Sequence, residues 1–238
     1  MSHRSFLRRL LGLEPAVIPV VDQMRTDWDQ RARENARHYV ATSKNRWSDG
    51  DFFKSGTDEI RLHVQPYFDV ICGDRSPSDM RMLEIGCGAA RMTLGFSEMF
   101  GVVEAVDVSS EMVSRARAAA VGRANVHFHV GTGTDLQMFA DDSFDFAFST
   151  LVFQHIPRKS IVSDYIREVR RVLRTGSIFR FQVQGYPIHE EEANTWVGVG
   201  FSEQEMTSLA LEVGFEILSA SGAGTQDYWL TFRKDSRG

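Results

Sequence analysis

The feature that most constrains the fold of this chain is a series of short apolar runs that alternate with helical patterns. Buried strands that alternate with helices pair in parallel through right-handed crossovers. The sequence therefore predicts an α/β fold with a doubly wound sheet, whose ligand site lies outside the carboxyl ends of the strands. The apolar runs cover residues 82–85, 102–106, 126–130, 144–149 and 178–183, and the helical patterns cover 89–100, 110–121, 161–173 and 206–213.

The end of the chain departs from this repeat. Residues 215–219 and 227–232 have the pattern of two strands joined by a short turn that contains glycine, which is typical of a hairpin. We therefore expect the last strand to run antiparallel to its predecessor. Residues 174–177 (RTGS) predict a turn before the strand at 178–183.

The N-terminal third has a different organisation. A helix is predicted over 22–40, a second helical stripe runs from Ile60 to Ile71, and Phe52 and Phe53 lie among Ser, Asp and Gly residues typical of a loop. The turn-rich segment 73–79 is the best boundary. We predict a helical cap or lid over 1–78 and a sheet domain over 79–238, because the first segment is too short and polar for a core of its own.

Composition removes several classes of protein. Two cysteines cannot build a disulfide framework, and a net charge of −5 makes nucleic acid an improbable partner. The absence of an apolar run of about 18 residues predicts no transmembrane segment. Residues 3–13 have a basic amphipathic pattern that could touch a membrane surface, although such a tail more often packs on protein. We expect a cytoplasmic protein, and the oligomeric state stays open.

The segment LEIGCGAAR, residues 83–91, follows the first predicted strand. Gly86 and Gly88 allow a sharp turn and a close approach of a ligand to the backbone. Asp107 ends the next strand, 19 residues after Gly88, where a carboxylate can accept hydrogen bonds from a ribose diol. Glycines between a strand and a helix, combined with this acid, are considerably more specific than glycines alone.

Five successive segments resemble, in order and spacing, the motifs of class I S-adenosylmethionine-dependent methyltransferases. They are LEIGCGAAR, AVDVSSEMV, GTGTDL, SFDFAFSTLVFQHI and RVLRTGSIFRFQV. The resemblance covers residues 80–238. It implies a Rossmann-like seven-stranded sheet with an antiparallel last strand, a bound S-adenosylmethionine, and in-line methyl transfer to an acceptor, by default a small molecule.

The resemblance also implies roles for individual residues. Glu84 matches the acid that orders the glycine loop, and Asp107 matches the acid that binds the ribose diol. Asp135 matches, with Gly133 and Thr134, the loop that holds the adenine edge, although it fits a local cap equally well. The other expected cofactor contacts are Gly86, Cys87, Gly88, Val108, Met112, Gly133, Thr134, Leu136, Ser149 and Thr150.

The acceptor should be held by residues outside the shared core. His155 follows the fourth strand and is the best candidate for a general base, although a histidine in this loop also commonly caps or packs. His189 lies beside three glutamates, a pattern more typical of a solvated loop than of a metal site, so we predict no metal. The substrate or lid candidates are Trp28, Arg33, Tyr39, Phe153 and Trp196.

Two other functions use similar motifs. A protein that binds S-adenosylmethionine without methyl transfer would keep the same residues. A nicotinamide-dependent oxidoreductase uses the same turn and acid, but Arg91 stands where its third glycine would fall, and the chain has no Tyr-x-x-x-Lys pair. The sequence favours a methyltransferase over both.

Overall fold

A computed structural model describes residues 20–235, which form a seven-stranded sheet with helices on both faces. The strand order is β3-β2-β1-β4-β5-β7-β6, and β7 runs antiparallel to both of its neighbours. This arrangement confirms the predicted α/β, Rossmann-like fold and its antiparallel last strand. The strands are β1 (Arg81–Ile85), β2 (Val102–Asp107), β3 (Val126–Val130), β4 (Phe144–Ser149), β5 (Leu173–Val183), β6 (Phe215–Ser221) and β7 (Tyr228–Lys234).

Seven α-helices accompany these strands in residues 20–235. They are α1 (Val20–Val40), α2 (Asp49–His63), α3 (Phe68–Cys72), α4 (Thr93–Ser97), α5 (Ser110–Ala119), α6 (Lys159–Val172) and α7 (Glu203–Val213). Short 3₁₀ turns lie at Gln65–Tyr67, Pro77–Asp79 and Phe153–His155. Of the helices in this part of the chain, none combines the length and apolar character that crossing a bilayer requires.

The core lies on both faces of the sheet, because side chains along a strand alternate between them. Leu83 of β1 packs in a cluster with α6 and α7, whereas Met82 packs in a second cluster with Ile60 of α2 and Ile71 of α3. Two helices of the N-terminal segment therefore cover one face of the sheet and share its core.

Helix α1 docks on the start of α5 through a carboxylate. Asp29 Oδ1 accepts hydrogen bonds from Ser109 Oγ (2.6 Å) and from the backbone N–H of Glu111 (3.1 Å). Ser109 is also the N-cap of α5, as predicted, and its side chain accepts from the Met112 N–H. An anion at a helix N-terminus is electrostatically favoured, so Asp29 stabilises both the cap and the position of α1.

Two predictions near the glycine loop and in the N-terminal segment are wrong. The helix expected over 89–100 is confined to Thr93–Ser97, because Ala90 has a left-handed φ of 65° that a continuous helix excludes. Phe52 and Phe53 lie in α2 and not in a loop. Ser48 accepts from the Asp51 N–H, so the Ser-Asp-Gly signal marks a helix start.

Two further boundaries differ from prediction. The stripe from Ile60 to Ile71 is broken between α2 and α3 by the 3₁₀ turn at Gln65–Tyr67, which contains Pro66. Residues 174–177 are part of β5, because Leu173 pairs with Phe144 across a bulge that absorbs the turn residues. The predicted basic helix over residues 3–13 lies outside the described residues.

Candidate active site

A cleft of about 900 Å³, open to solvent, lies at the carboxyl ends of β1, β2 and β4. We call it the main cleft. Its floor is the glycine loop, and part of its wall comes from Met24 and other residues of α1. Eleven sequence-predicted residues line it: Trp28, Tyr39, Glu84, Gly86, Cys87, Gly88, Asp107, Val108, Met112, Thr150 and His155.

The glycine loop is held in a conformation that favours glycine. Gly86 and Gly88 have φ values of 76° and 52°. A Cβ at Gly86 would lie 2.0 Å from a methyl carbon of Val152, and a Cβ at Gly88 would lie 2.7 Å from a methyl carbon of Val40. The loop therefore packs tightly against the segment after β4 and against α1 while its backbone faces the main cleft.

Asp107 ends β2 at the edge of the main cleft. Its Oδ2 accepts from the Gly88 N–H and its Oδ1 accepts from the Ser109 N–H, each at 2.9 Å. Burial, and to a smaller extent the charge of Asp29, raises the pKa of the Asp107 carboxyl to about 6, although the two backbone donors oppose this rise. Each oxygen keeps a further lone pair, so this carboxylate can still accept from a diol.

Glu84 and Arg91 form a buried charged pair of residues in the main cleft. Glu84 is 4% exposed and accepts a 2.6 Å hydrogen bond from Thr93 Oγ1, and burial raises the pKa of its carboxyl to about 7. Arg91 is 5% exposed, and its Nε has no hydrogen-bond partner among the described residues. Burial lowers the Arg91 pKa, which the charges of Glu59 and Glu84 oppose.

Because its Nε has no hydrogen-bond partner, the Arg91 guanidinium is a candidate for binding a ligand rather than a group that only packs in the core. Buried guanidinium groups in folded proteins normally have hydrogen-bond partners, and a planar guanidinium is well suited to a carboxylate. Sequence reasoning did not single out Arg91 as a candidate ligand contact. The available signal was an arginine placed directly after the glycine loop.

Several predicted residues do not line the main cleft. Gly133 lies beside Val108, since a Cβ on Gly133 would be 3.2 Å from a Val108 methyl carbon. Thr132 Oγ1 accepts from the N–H groups of Thr134 and Asp135, and Leu136 is fully buried. The loop after β3 is therefore adjacent to the cleft rather than part of its wall.

Three other predicted residues have structural contacts away from that wall. Ser149 donates a 3.1 Å hydrogen bond to the Ile85 carbonyl. Phe153 is fully buried in the core. The Arg33 side chain is 56% exposed and lies 3.6 Å from a Glu111 carboxylate oxygen.

A second cleft of about 670 Å³ adjoins the first, and we call it the amide-lined cleft. The two clefts share Tyr39, Val40, Leu151 and His155. Leu151 has a φ of 56°, and this left-handed backbone sits where the two clefts meet. The remaining lining residues are Thr42, Gln154, Gln184, Trp196, Val197 and Gln226.

His155 lies at the junction of the two clefts in its neutral form. Nδ1 lies 2.6 Å from the Trp196 carbonyl, which can only accept, so Nδ1 carries the proton and Nε2 accepts from Gln154 Nε2 at 3.2 Å. Burial lowers the pKa of His155 to about 4, against the opposing effect of the Trp196 carbonyl. The ring stacks on Trp196 at 5.1 Å and meets Trp28 edge-on at 5.2 Å.

The segment between β5 and α7, residues 184–202, is called the insert and is tied to α1. Arg31 donates hydrogen bonds to the carbonyl (2.9 Å) and hydroxyl (3.0 Å) of Thr195, and the Thr195 hydroxyl donates to Asp27. The Arg31 guanidinium lies 4.8 Å from the Trp28 ring centroid and 5.3 Å from that of Trp196. These contacts hold Trp196 over the amide-lined cleft.

In residues 20–235, His189 belongs to no group of three or more His, Cys, Asp or Glu side chains that could hold a metal.

The strand order, the glycine loop after β1 and the acid at the end of β2 define a Rossmann-like nucleotide-binding protein. A family model described as a methyltransferase domain matches residues 83–181. An uncharacterized methyltransferase of Bacillus subtilis (strain 168), YcgJ, is 38% identical over 104 residues, which are 43% of this chain and 40% of that protein. The chain spans about half the length of the curated relatives it matches.

Solved structures share this fold over most of the chain. The complex of DhpI with S-adenosylhomocysteine has a TM-score of 0.65 at 20% identity, and the match covers 92% of this chain and 98% of that one. The [4+2]-cyclase SpnF has a TM-score of 0.67 at 17% identity, covering 91% and 97%. These comparisons confirm the resemblance to S-adenosylmethionine-dependent methyltransferases that the motifs indicate.

The main cleft fits the cofactor of this family. S-adenosylmethionine has a ribose diol, an amino-acid carboxylate and an ammonium group. Asp107 offers acceptors for the diol, the orphaned Arg91 Nε offers a donor for the carboxylate, and Glu84 offers a negative charge for the ammonium. The glycine loop lines the same cleft.

Proposed function

We propose that this protein transfers a methyl group from S-adenosylmethionine to a small-molecule acceptor. The observation that carries the proposal is the convergence, in one cleft, of the glycine loop, Asp107, Glu84 and the unpartnered Nε of Arg91. When bound, S-adenosylmethionine supplies an electrophilic methyl group and a neutral leaving group. The protein then has to orient the acceptor and exclude water, which is catalysis by proximity.

The residues of the main cleft divide this work. Asp107 accepts from the ribose diol, while Arg91 and Glu84 hold the two charges of the amino-acid end. Trp28, Tyr39 and Met112 close the apolar sides, and aromatic rings there attract a cation. The remaining predicted contacts, including Gly133, Thr134 and Asp135, are proposed to act at the adjoining loop.

The role of His155 as general base stays a prediction. Its neutral Nε2 can accept a proton at the cleft junction, but a pKa of about 4 makes it a weak base. This property suits an acceptor whose proton is already acidic, or an acceptor that needs only a hydrogen bond for alignment. A His155→Gln variant keeps a hydrogen-bonding group, so a large loss of kcat with KM unchanged would favour proton removal.

The test of the main cleft is a ligand comparison by thermal shift. We expect S-adenosylmethionine and S-adenosylhomocysteine to raise the unfolding temperature, and NAD and NADP to leave it unchanged. Asp107→Ala should abolish the shift, and Asp141→Ala, at an exposed carboxylate, should leave the shift in place. Stabilisation of the Asp107 variant equal to that of the wild type would contradict the assignment.

Binding alone leaves the non-catalytic alternative open. A solved neighbour named as a [4+2]-cyclase shares this fold, so the fold does not by itself assign methyl transfer. The proposal requires S-adenosylhomocysteine to form from S-adenosylmethionine in proportion to an added acceptor. Cofactor binding without product formation across a broad acceptor panel would favour the alternative.

A further inference from the structure

The amide-lined cleft has a composition that the main cleft lacks. Among its ten lining residues there is no Asp, Glu, Lys or Arg. The charged groups near the lining already have hydrogen-bond partners. Arg31 bonds to Thr195, and the Asp227 carboxylate accepts from Gln182 Nε2 at 3.1 Å. The Glu34 carboxylate accepts a 2.9 Å hydrogen bond from the Tyr39 hydroxyl.

Primary amides form one wall of this cleft and are cross-linked to each other. Gln154 Oε1 accepts from Gln182 Nε2 at 2.8 Å and from Gln226 Nε2 at 3.4 Å. Gln182 Oε1 also accepts from the Leu151 N–H at 3.0 Å, so this wall is connected to the strained residue where the clefts meet. Such a network fixes the orientation of several amides before anything binds.

One amide group of the wall is available to a ligand. The Gln184 side chain is 6% exposed, and its Oε1 accepts only a long 3.4 Å hydrogen bond from the Tyr186 N–H. Within residues 20–235, the NH₂ group of Gln184 makes no hydrogen bond. This donor therefore remains for a ligand.

Aromatic rings form another part of the lining, which we call the aromatic wall. The rings of Tyr39 and Trp196 meet edge to face at 5.7 Å, and Trp196 is still 37% exposed. His155 is neutral, since burial lowers its pKa to about 4. A ligand in this cleft therefore meets aromatic faces and neutral hydrogen-bonding groups. A charged ligand would lose its hydration without direct contact with an opposite charge among the lining residues.

We propose that the amide-lined cleft binds the methyl acceptor and selects an uncharged, ring-containing molecule that carries hydrogen-bonding groups. This inference rests on the proposed methyl transfer, because the shared residues Leu151 and His155 put this cleft next to the main one. Flat rings pack on the aromatic wall, and polar substituents pair with the amides. Carboxylates, phosphates and ammonium compounds are disfavoured.

The test measures the affinities of three matched probes by ligand-observed NMR, at neutral pH, with and without saturating S-adenosylhomocysteine. The probes are 2-naphthol, 6-hydroxy-2-naphthoate and 6-(aminomethyl)-2-naphthol, which are neutral, anionic and cationic. We expect the neutral probe to bind at least tenfold more tightly than either charged one. Equal or tighter binding of a charged probe, or no binding of the neutral one, overturns the proposal.

Charge variants locate the selection in this cleft. Thr42→Lys, at an exposed lining residue, should raise affinity for the anionic probe at least fivefold. Gln184→Glu should raise affinity for the cationic probe by a similar factor. Gln204→Glu makes the same chemical change on the exposed face of α7 and should change nothing. Unaltered preferences in both cleft variants would refute the location.

A separate experiment distinguishes failure of the proposed function from failure of the proposal for the amide-lined cleft. Calorimetry with S-adenosylhomocysteine alone tests the main cleft, and no heat of binding there contradicts the proposed cofactor site. The probe titrations without S-adenosylhomocysteine still report the charge preference of the amide-lined cleft.

Discussion

Replacement of Glu84 by Gln should change how the stability of the ligand-free protein depends on pH. In the folded chain burial raises the pKa of the Glu84 carboxyl from 4.5 to about 7. Between these values the folded state binds more protons than the unfolded state. The free energy of unfolding therefore falls as pH rises through this window, and it is level on either side. A carboxamide cannot ionise, so Glu84→Gln removes this loss.

The magnitude follows from the two pKa values. The difference between the two pKa values corresponds to a loss of about 3 kcal/mol in the free energy of unfolding of the wild type. About 2.5 kcal/mol of this loss occurs between pH 5 and pH 8. The hydrogen bond from Thr93 survives, because the Gln oxygen can accept it. The free energy of unfolding of the variant minus that of the wild type should therefore rise by about 2.5 kcal/mol from pH 5 to pH 8.

Urea unfolding monitored by tryptophan fluorescence at the two pH values measures this difference. Taking variant minus wild type at each pH cancels the other titrating groups. Glu191→Gln, at an exposed carboxylate of the insert, is the matched control for the chemical change. A difference below about 0.5 kcal/mol for Glu84→Gln, or one of opposite sign, would show that burial does not raise this pKa.

Three further perturbations test the site and its supports. Gly56→Ala puts a Cβ 1.9 Å from the Arg91 carbonyl oxygen, and should lower the free energy of unfolding by about 3 kcal/mol in urea titrations; a neutral effect would contradict the close packing of α2. Asp29→Ala should cost about 2 kcal/mol in the same assay, because it removes the acceptor that holds α1 on α5; unchanged stability would refute that role. Calorimetry should show S-adenosylhomocysteine affinity falling below pH 6, as Asp107 takes up a proton and loses acceptor capacity; a flat profile from pH 5 to pH 8 would argue against diol binding there.

The parts of the site that could be predicted from sequence are those built from neighbouring residues. The turn at Gly86 and Gly88 and the acid at Asp107 lie on two adjacent strands, so spacing alone brings them together. The role of Arg91 depends on burial beneath α2, whose Gly56 packs on the Arg91 backbone from 35 residues away. A single sequence carries no local signal for that contact.

The amide-lined cleft also could not be predicted from local sequence patterns. Gln154, Gln184 and Gln226 come from the segment after β4, the end of β5 and the turn before β7, and they meet only because β7 inserts between β5 and β6. The wrong expectation of a loop at Phe52 has a different cause. Ser, Asp and Gly are common both in turns and at helix starts, and the packing of Phe52 decides between them.

The docking of α1 has a practical consequence for how this chain can be divided. Trp28 and Tyr39 line the main cleft, Tyr39 also lines the amide-lined cleft, and Asp29 fastens their helix to the start of α5. A fragment that begins at β1 would keep every recognisable methyltransferase motif and still lack a wall of each cleft. The lining of the main cleft therefore begins at least as early as Met24 of α1, well before the first methyltransferase motif at Leu83.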